Sequence, residues 1–208
     1  MNLTHYYWYF KSVIPIRICD DIVRYAKSMK NKMANIGDSE DFKNLNQDEL
    51  KDVKNKRDSS IVWLDERWIY KEVQPYVHQA NASAGWNFQW DHSEDCQFTE
   101  YKTGQHYGWH CDAKRRVENK PNTPFHGKTR KLSVTVSLSD PKDYKGGELE
   151  FDFRNHDSDN QFNIKKCEEI LPKGSVVVFP SFVWHRVCPV IEGSRYSLVV
   201  WNLGWPFK

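Results

Sequence analysis

Residues Lys131–Ser139 read KLSVTVSLS, and apolar and hydroxyl side chains alternate along this stretch. Because successive strand side chains point to opposite faces, the pattern predicts a β-strand with one apolar face and one hydroxyl face. We expect the apolar face to pack on a core. The hydroxyl face could line a wet interior cavity or meet bulk water, and alternation alone slightly favours bulk water.

Short strands of the same kind lie on both sides of this stretch. From Trp86 onward the apolar period is two, interrupted by clusters of Gly, Pro and Asp. The candidate strands are Cys96–Lys102, Tyr107–Asp112, Lys131–Ser139, Gly147–Phe153, Lys166–Leu171, Ser175–Phe179, Trp184–Val190 and Arg195–Asn202. Such a series of short strands predicts a double-sheet jelly roll, also called a double-stranded β-helix.

The N-terminal part of the chain shows helical periodicity instead. Apolar residues recur at helical spacing over Pro15–Met33 and again over Asp65–Ala84. Residues 34–58 between them are polar and predict a surface loop with at most a short helical turn. We therefore expect two helices before any clear sheet.

Length and hydrophobicity suit one sizeable core, since the chain has 208 residues of which 39% are hydrophobic. We expect an α+β fold in a single domain over residues 1–208. Residues 1–85 would form a helical support region, and residues 86–208 would form the jelly-roll core.

Composition narrows the partners and the compartment. The net charge of +2 and the pI of about 8.2 make nucleic acid an unlikely main partner. No apolar run reaches the roughly 18 residues of a membrane span, and Met1–Phe10 lacks the pattern of a signal peptide. The 5 cysteines are widely spaced and odd in number, which argues against a disulfide framework. We expect a cytoplasmic protein in a reducing compartment, with no membrane partner.

A candidate metal site lies in the stretch YKTGQHYGWHCD, residues 101–112. His110 and Asp112 are two residues apart, so an extended chain places both side chains on one face. His185 follows a second apolar strand, and a folded sheet could bring it back to this pair. Two imidazoles and one carboxylate form the facial triad typical of non-haem Fe(II) sites. The alternative is a histidine that merely packs in the core.

A candidate anion site follows ten residues after His185. Arg195 begins the last apolar strand, and a buried guanidinium needs an anionic partner. Ser197 lies on the same strand face and could add a hydroxyl hydrogen bond. A small dicarboxylate could therefore bridge a metal at His185 and the guanidinium of Arg195. An ion pair with a structural Asp or Glu is the alternative.

The ordered set of these residues resembles the 2-oxoglutarate- and Fe(II)-dependent oxygenases, specifically the prolyl 4-hydroxylase-like group. The resemblance spans roughly Gln97 to Gly204. The matching residues are Tyr101, Gly104, Tyr107, His110, Asp112, the turns Gly146-Gly147-Glu148-Leu149 and Pro172-Lys173-Gly174, then Val176–Phe179, His185, Arg195-Tyr196-Ser197 and Trp201. The two N-terminal helices resemble the family's supporting helices, with much less specificity.

The resemblance implies a set of roles and cofactors. His110, Asp112 and His185 would bind Fe(II), and Arg195 would bind the distal carboxylate of 2-oxoglutarate. Tyr101 aligns with a cosubstrate contact in relatives, and Ser197 is a plausible second contact. The implied reaction uses O2, converts 2-oxoglutarate to succinate and hydroxylates a substrate C–H bond, with ascorbate as a further expected cofactor.

Residues near the metal ligands suggest where a substrate would bind. Tyr107 and Trp201 could line the mouth of the site, although plain packing is an equal alternative. The loop from Ala113 to Lys131 is basic, and Arg115 and Arg116 within it could contact a substrate. We expect this loop either to act as a lid that favours an acidic partner or to be merely solvated.

The closest part of the resemblance favours a protein or peptide substrate, with 4-hydroxylation of peptidyl proline as the leading expectation. The same chemistry on a free amino acid, another small molecule or a nucleobase is the alternative. A non-catalytic jelly-roll binding module is the third possibility, but it would require a broken triad or a lost arginine. Neither is broken in this sequence.

Overall fold

Helices and strands are both present in the computed structural model, which describes residues 3–29, 34–35, 46–113, 117–153 and 164–207. The helices are α1 (Ile16–Ser28), α2 (Gln47–Lys56) and α3 (Arg67–Ser83), with a short 3-10 helix at Glu168–Ile170. The first seven strands are β1 (Trp8–Phe10), β2 (Ala34–Asn35), β3 (Arg57–Asp58), β4 (Ser60–Leu64), β5 (His92–Ser93), β6 (Cys96–Lys102) and β7 (His106–His110). The others are β8 (Thr129–Ser137), β9 (Tyr144–Gly146), β10 (Leu149–Asp152), β11 (Ile164–Lys166), β12 (Val176–Pro180), β13 (Trp184–Val187) and β14 (Val190–Gly204).

Helices α1 and α3 confirm the two helices that the apolar periodicity predicted, and each buries an apolar stripe in the core. Helix α2 lies in the segment for which the sequence indicated only a helical turn. Its start is explained by a capping box, in which Asn46 accepts from the N–H of Glu49 and the Glu49 side chain accepts from the N–H of Asn46. None of the described helices is long and apolar enough to span a membrane.

The strands form two antiparallel sheets. In the larger sheet the order is β1-β12-β8-β14-β6-β4-β2, and β5 and β9 also pair with β14. In the smaller sheet the order is β11-β10-β13-β7-β3. Side chains of β6, β8 and β14 line one cavity together with side chains of β7, β10 and β13. The cavity therefore lies between the two sheets of the predicted jelly roll.

Strand β8 settles which face of the KLSVTVSLS stretch points inward. Leu132, Val134 and Val136 belong to the main apolar core together with residues of α1 and α3. Ser133 and Thr135 are buried on the other face, and Thr135 lines the cavity between the sheets. The preference for bulk water was wrong, because both faces of this central strand are covered.

Two expectations about other elements were also wrong. β1 and β4 belong to the larger sheet, so strands precede and separate the first helices. The expected strand Lys166–Leu171 ends at Lys166, because the N–H of Cys167 donates to Leu149 O at 2.8 Å and a 3-10 turn follows. That turn buries Cys167 and Ile170, which are three residues apart, in one small core.

Candidate metal centre and cosubstrate pocket

The three candidate metal ligands meet at one end of the smaller sheet. β7 ends at His110, β13 carries His185, and the two residues are Cα partners in the antiparallel register. Asp112 lies just beyond β7, where its N–H donates to Ser181 O at 2.9 Å. The ligand atoms of the three side chains all lie within 4.8 Å of one another. The structure thus brings together all three residues that the sequence singled out.

The imidazoles are oriented by backbone carbonyls. Nδ1 of His110 lies 2.8 Å from Gly108 O, and Nδ1 of His185 lies 3.0 Å from Val183 O. A carbonyl oxygen only accepts, so each Nδ1 carries the proton and each Nε2 keeps a free lone pair. The Nε2 atoms of His110 and His185 lie 3.8 Å and 3.6 Å from the Asp112 carboxylate oxygens. This is the arrangement in which outer contacts fix histidine ligands for a metal.

The charge states of the triad also suit metal binding. Burial, and then the neighbouring His185, lower the pKa of His110 to about 3, so the ring is neutral. Burial alone would raise the pKa of Asp112, but His185, His110 and Arg130 together hold it below its ordinary value. Two neutral imidazoles and one carboxylate are the donor set of a facial triad for Fe(II). The residues present therefore fit this metal.

The candidate cosubstrate residues lie across the cavity on the larger sheet. Arg195 and Tyr101 are Cα partners in β14 and β6, and both are buried. Arg195 Nη1 donates to Ser197 Oγ at 3.3 Å. Within the described residues, no carboxylate lies within ion-pair distance of the Arg195 guanidinium. The structural ion pair that the sequence left open is thus not found there, and a buried cation faces the cavity.

Tyr101 and Gly147 also shape this side of the cavity. Burial raises the pKa of Tyr101, so at neutral pH its hydroxyl is protonated and available as a donor. Gly147 has φ +65°, and a Cβ atom at this position would lie 2.9 Å from Arg195 Cδ. The Gly-Gly turn noted in the sequence therefore leaves space for the arginine side chain.

Tyr107 and Trp201 both line the same cavity as the triad. The Tyr107 ring is stacked on the His110 imidazole, with centroids 3.5 Å apart and planes 13° apart. Trp201 is buried, and its Nε1 has no hydrogen-bond partner among the described residues. A buried donor without an acceptor is costly, which suits a site whose ligand brings the acceptor.

Arg130 is a site residue that the sequence interpretation assigned to a basic loop. Its guanidinium lies 3.8 Å from the Trp201 ring centroid and forms two hydrogen bonds, of 2.7 and 2.6 Å, to the Glu94 carboxylate. Arg130 and Lys131 belong to β8, so the predicted loop of residues 113–131 is shorter than expected. The preceding residues, KTRK at 128–131, are all polar, so no apolar alternation signalled the earlier start of this strand.

The other cations of that loop do not form one group in the described structure. Lys128 is paired with Asp91, with Nζ and Oδ1 2.7 Å apart. Lys114, Arg115 and Arg116 lie outside the described residues. The predictions that Arg115 and Arg116 contact a substrate, and that the loop is a lid, therefore stay predictions.

Comparisons with solved structures show related folds. A viral collagen prolyl hydroxylase from Paramecium Bursaria Chlorella virus-1 aligns with TM-score 0.65 over 97% of this chain and 97% of its own, at 19% identity. A prolyl hydroxylase from Trichoplax adhaerens, in complex with a hypoxia inducible factor peptide fragment, aligns with TM-score 0.66 over 96% of this chain and 84% of its own, at 17% identity. At these identities the likeness shows the double-stranded β-helix fold.

Comparisons with curated sequences match half of the chain. A PKHD-type hydroxylase from Pseudoalteromonas atlantica is 38% identical over 105 residues, which are 50% of this chain and 41% of that protein. One from Paracoccus denitrificans is 38% identical over 104 residues, 50% of this chain and 40% of that protein. The chain thus spans about 40% of the length of these relatives.

A family model covers the part of the chain that builds the site. The model of the 2OG-Fe(II) oxygenase superfamily matches residues 96–202. These residues include the facial triad, Tyr101, Arg195 and Ser197. The superfamily assigns Fe(II), 2-oxoglutarate and O2 as the cofactor and cosubstrates, and the donor set described above fits that assignment. This chain belongs to the 2OG-Fe(II) oxygenase superfamily.

Proposed function

We propose that this protein is a 2-oxoglutarate-dependent dioxygenase that hydroxylates peptidyl proline. The observation that carries the proposal is the placement of Arg195, a buried cation with no carboxylate within ion-pair distance in the described structure, across one cavity from the triad. A cosubstrate that carries a carboxylate at each end could reach both sites. Its keto acid end would meet the metal, and its other end would meet the guanidinium.

His110, Asp112 and His185 would hold the metal through Nε2, a carboxylate oxygen and Nε2. When bound, Fe(II) and O2 supply the oxidative chemistry, in which 2-oxoglutarate becomes succinate and CO2 and the second oxygen atom enters the substrate C–H bond. The chain itself keeps His110 neutral and Asp112 charged before the metal binds. We expect ascorbate to sustain turnover.

Arg195 would bind the distal carboxylate of 2-oxoglutarate, with the fork geometry that suits a carboxylate. Ser197 orients the guanidinium through its hydroxyl. Tyr101 would donate its hydroxyl hydrogen to the cosubstrate. The apolar side chains of Leu149, Val187 and Val199 also line the cavity and would exclude water from it.

The peptide part of the proposal rests on two aromatic residues of the cavity. Tyr107 and Trp201 both line this cavity, and aromatic side chains suit contact with a proline ring. The free Nε1 of Trp201 could donate to a peptide carbonyl, and Arg130 packs behind this indole. Two solved structures of similar fold are named as prolyl hydroxylases, and one of them is a complex with a peptide fragment.

Two broader expectations belong to the same proposal. We propose one domain over residues 1–208, because Ile14 and Ile22 share a single apolar core with Val136 and Val200. We propose a cytoplasmic location, since all five cysteines are free. A fractionation experiment and limited proteolysis would check these two points separately.

The activity is tested by following succinate formation from 2-oxoglutarate with Fe(II), ascorbate and O2. Succinate formation by wild type, His110→Ala and Arg195→Ala is measured in the presence of proline-rich peptides, free amino acids or oligonucleotides. We expect peptides to stimulate turnover by the wild type and to gain the mass of one oxygen atom on proline. Both effects should be lost in the two variants. Stimulation by a free amino acid or an oligonucleotide alone would overturn the peptide substrate, and absence of iron and 2-oxoglutarate binding would overturn the chemistry.

A further inference from the structure

Arg57 reaches the metal site from outside the region that the family model matches. It lies in β3, which pairs antiparallel with β7, and Arg57 and Tyr107 are Cα partners. The sequence interpretation placed Arg57 in a polar surface loop. The structure instead places this residue beside the strand that carries His110.

The segment around Arg57 is held on β7 by several contacts. Asn55 O accepts a hydrogen bond from His106 Nε2 at 2.8 Å, and Asp58 Oδ1 accepts one from Gln105 Nε2 at 2.9 Å. A Cβ atom at Gly108 would lie 3.2 Å from Lys56 O, so the two backbones approach closely. Arg57 is therefore presented to β7 from a fixed backbone.

The guanidinium of Arg57 completes a stack on a metal ligand. Its central carbon lies 4.4 Å from the Tyr107 ring centroid. The His110 imidazole is stacked on the same ring at 3.5 Å, so the two groups occupy opposite faces of Tyr107. The three groups therefore form one stack, in which the Tyr107 ring lies between the Arg57 guanidinium and the imidazole of the candidate ligand His110.

Arg57 lacks the carboxylate partner that Arg130 and Arg186 have, although these two also pack on aromatic rings. Arg130 and Arg186 bind Glu94 and Glu150, at 2.6 and 2.7 Å. For Arg57, no carboxylate lies within ion-pair distance in the described part of the chain. Its Nε donates to Ser59 Oγ at 3.2 Å, while its Nη2 is buried without a hydrogen-bond partner there. A cation placed in this way is held chiefly by the aromatic ring.

We propose that Arg57 is a positioning residue that holds the Tyr107 ring against His110 and thereby fixes the plane of this imidazole for the metal. The inference rests on the proposed metal site. Arg57 is not one of the three candidate ligands and does not line the cavity between the sheets, so it would act through Tyr107. The orientation of a histidine ligand controls how well its lone pair meets the ion, and contacts beyond the ligands typically change metal affinity.

The first test measures Co(II) binding without substrate, by titration and by the visible absorption spectrum. We expect Arg57→Met to weaken Co(II) binding by about three- to tenfold and to alter the spectrum. Arg57→Lys keeps a cation over the ring and should restore part of the affinity. Arg186→Met is the matched control, because Arg186 also packs over an aromatic residue of β7, Trp109, at 4.6 Å. This control should leave the spectrum unchanged.

A double-mutant cycle tests whether Arg57 acts through Tyr107. Tyr107→Leu removes the ring, so adding Arg57→Met in that background should cause no further loss of Co(II) affinity. Equal losses in both backgrounds would overturn the proposal. So would an Arg57→Met protein of lowered thermal stability with unchanged Co(II) affinity and spectrum. Failure of the wild type to bind Co(II) would instead overturn the metal site itself.

Discussion

His110 and His185 are Cα partners on neighbouring antiparallel strands, and their ring centroids lie 4.2 Å apart. Each ring donates through Nδ1 to a carbonyl two residues earlier in its own chain segment. Two histidines separated by 75 positions of sequence thus present the same nitrogen to one carboxylate, that of Asp112. Sheet register and local backbone bonds together create the site.

His185→Ala should abolish metal binding and turnover. We expect Fe(II) affinity to fall by more than about 100-fold, since losing a ligand costs more than losing an outer contact. Calorimetric titration under anaerobic conditions measures this. His78→Ala is the control, because His78 is an exposed histidine of α3 that stacks on Trp90 and takes no part in the triad. Equal Fe(II) binding by His185→Ala and the control would refute the assignment.

Arg195→Met should weaken 2-oxoglutarate binding by about ten- to 150-fold, because a hydrogen bond to a charged group contributes about 1.5–3 kcal/mol. The variant without cosubstrate should unfold at the same temperature as wild type or higher, since it no longer buries a cation without a carboxylate partner. Thermal melts with and without 2-oxoglutarate measure both effects. A large drop in stability together with an unchanged shift by 2-oxoglutarate would indicate a purely structural arginine.

Gly147→Ala should disturb the cosubstrate pocket as well as the backbone. A positive φ costs a non-glycine residue roughly 1–2 kcal/mol, and the new Cβ would press on Arg195 Cδ at 2.9 Å. Gly104→Ala is the control, because Gly104 has φ +87° and no atom within 4 Å of the new Cβ. Both variants should lose stability, but only Gly147→Ala should raise the KM for 2-oxoglutarate. If the two variants had equal KM values for 2-oxoglutarate, the space that Gly147 leaves beside Arg195 would not matter for cosubstrate binding.

The strand pattern could be predicted from the sequence where apolar alternation was long. Strand β6 has the predicted bounds, Cys96–Lys102, and the HxD spacing placed His110 and Asp112 together. The direction of the Ser133 and Thr135 face could not be predicted, because alternation shows that two faces differ and not which is covered. Helices on one side and a second sheet on the other decide it.

Other site residues left no readable pattern. Arg57 lies in a polar segment about 50 positions before Tyr107, and only the pairing of β3 with β7 brings them together. Arg130 was grouped with the loop cations because a guanidinium next to polar residues resembles a solvated side chain. Its contacts with Glu94 and Trp201 depend on tertiary structure that local sequence does not encode.

Cys188 should react slowly with alkylating reagents in the native protein. Burial, and then the nearby Glu150, raise the pKa of the Cys188 thiol to about 11. At pH 8 about one thousandth of this thiol would be ionised, against about a tenth at an ordinary pKa of 9, and only the thiolate reacts. Labelling of Cys188 should therefore accelerate about tenfold per pH unit from 8 to 10. Peptide mapping after iodoacetamide measures it; a rate that does not change with pH would contradict the shift.

Trp201→Phe should separate the hydrogen bond of the indole from its packing. The substitution keeps an aromatic ring beside Arg130 and removes Nε1, which lacks an acceptor in the described structure. Since a net hydrogen bond contributes about 0.5–1.5 kcal/mol, kcat/KM for a peptide should fall by about two- to twelvefold, with the KM for 2-oxoglutarate unchanged. Trp63→Phe is the control, because Trp63 packs against Trp201 from an exposed position. If both variants lower kcat/KM equally, the indole N–H does not contact the substrate.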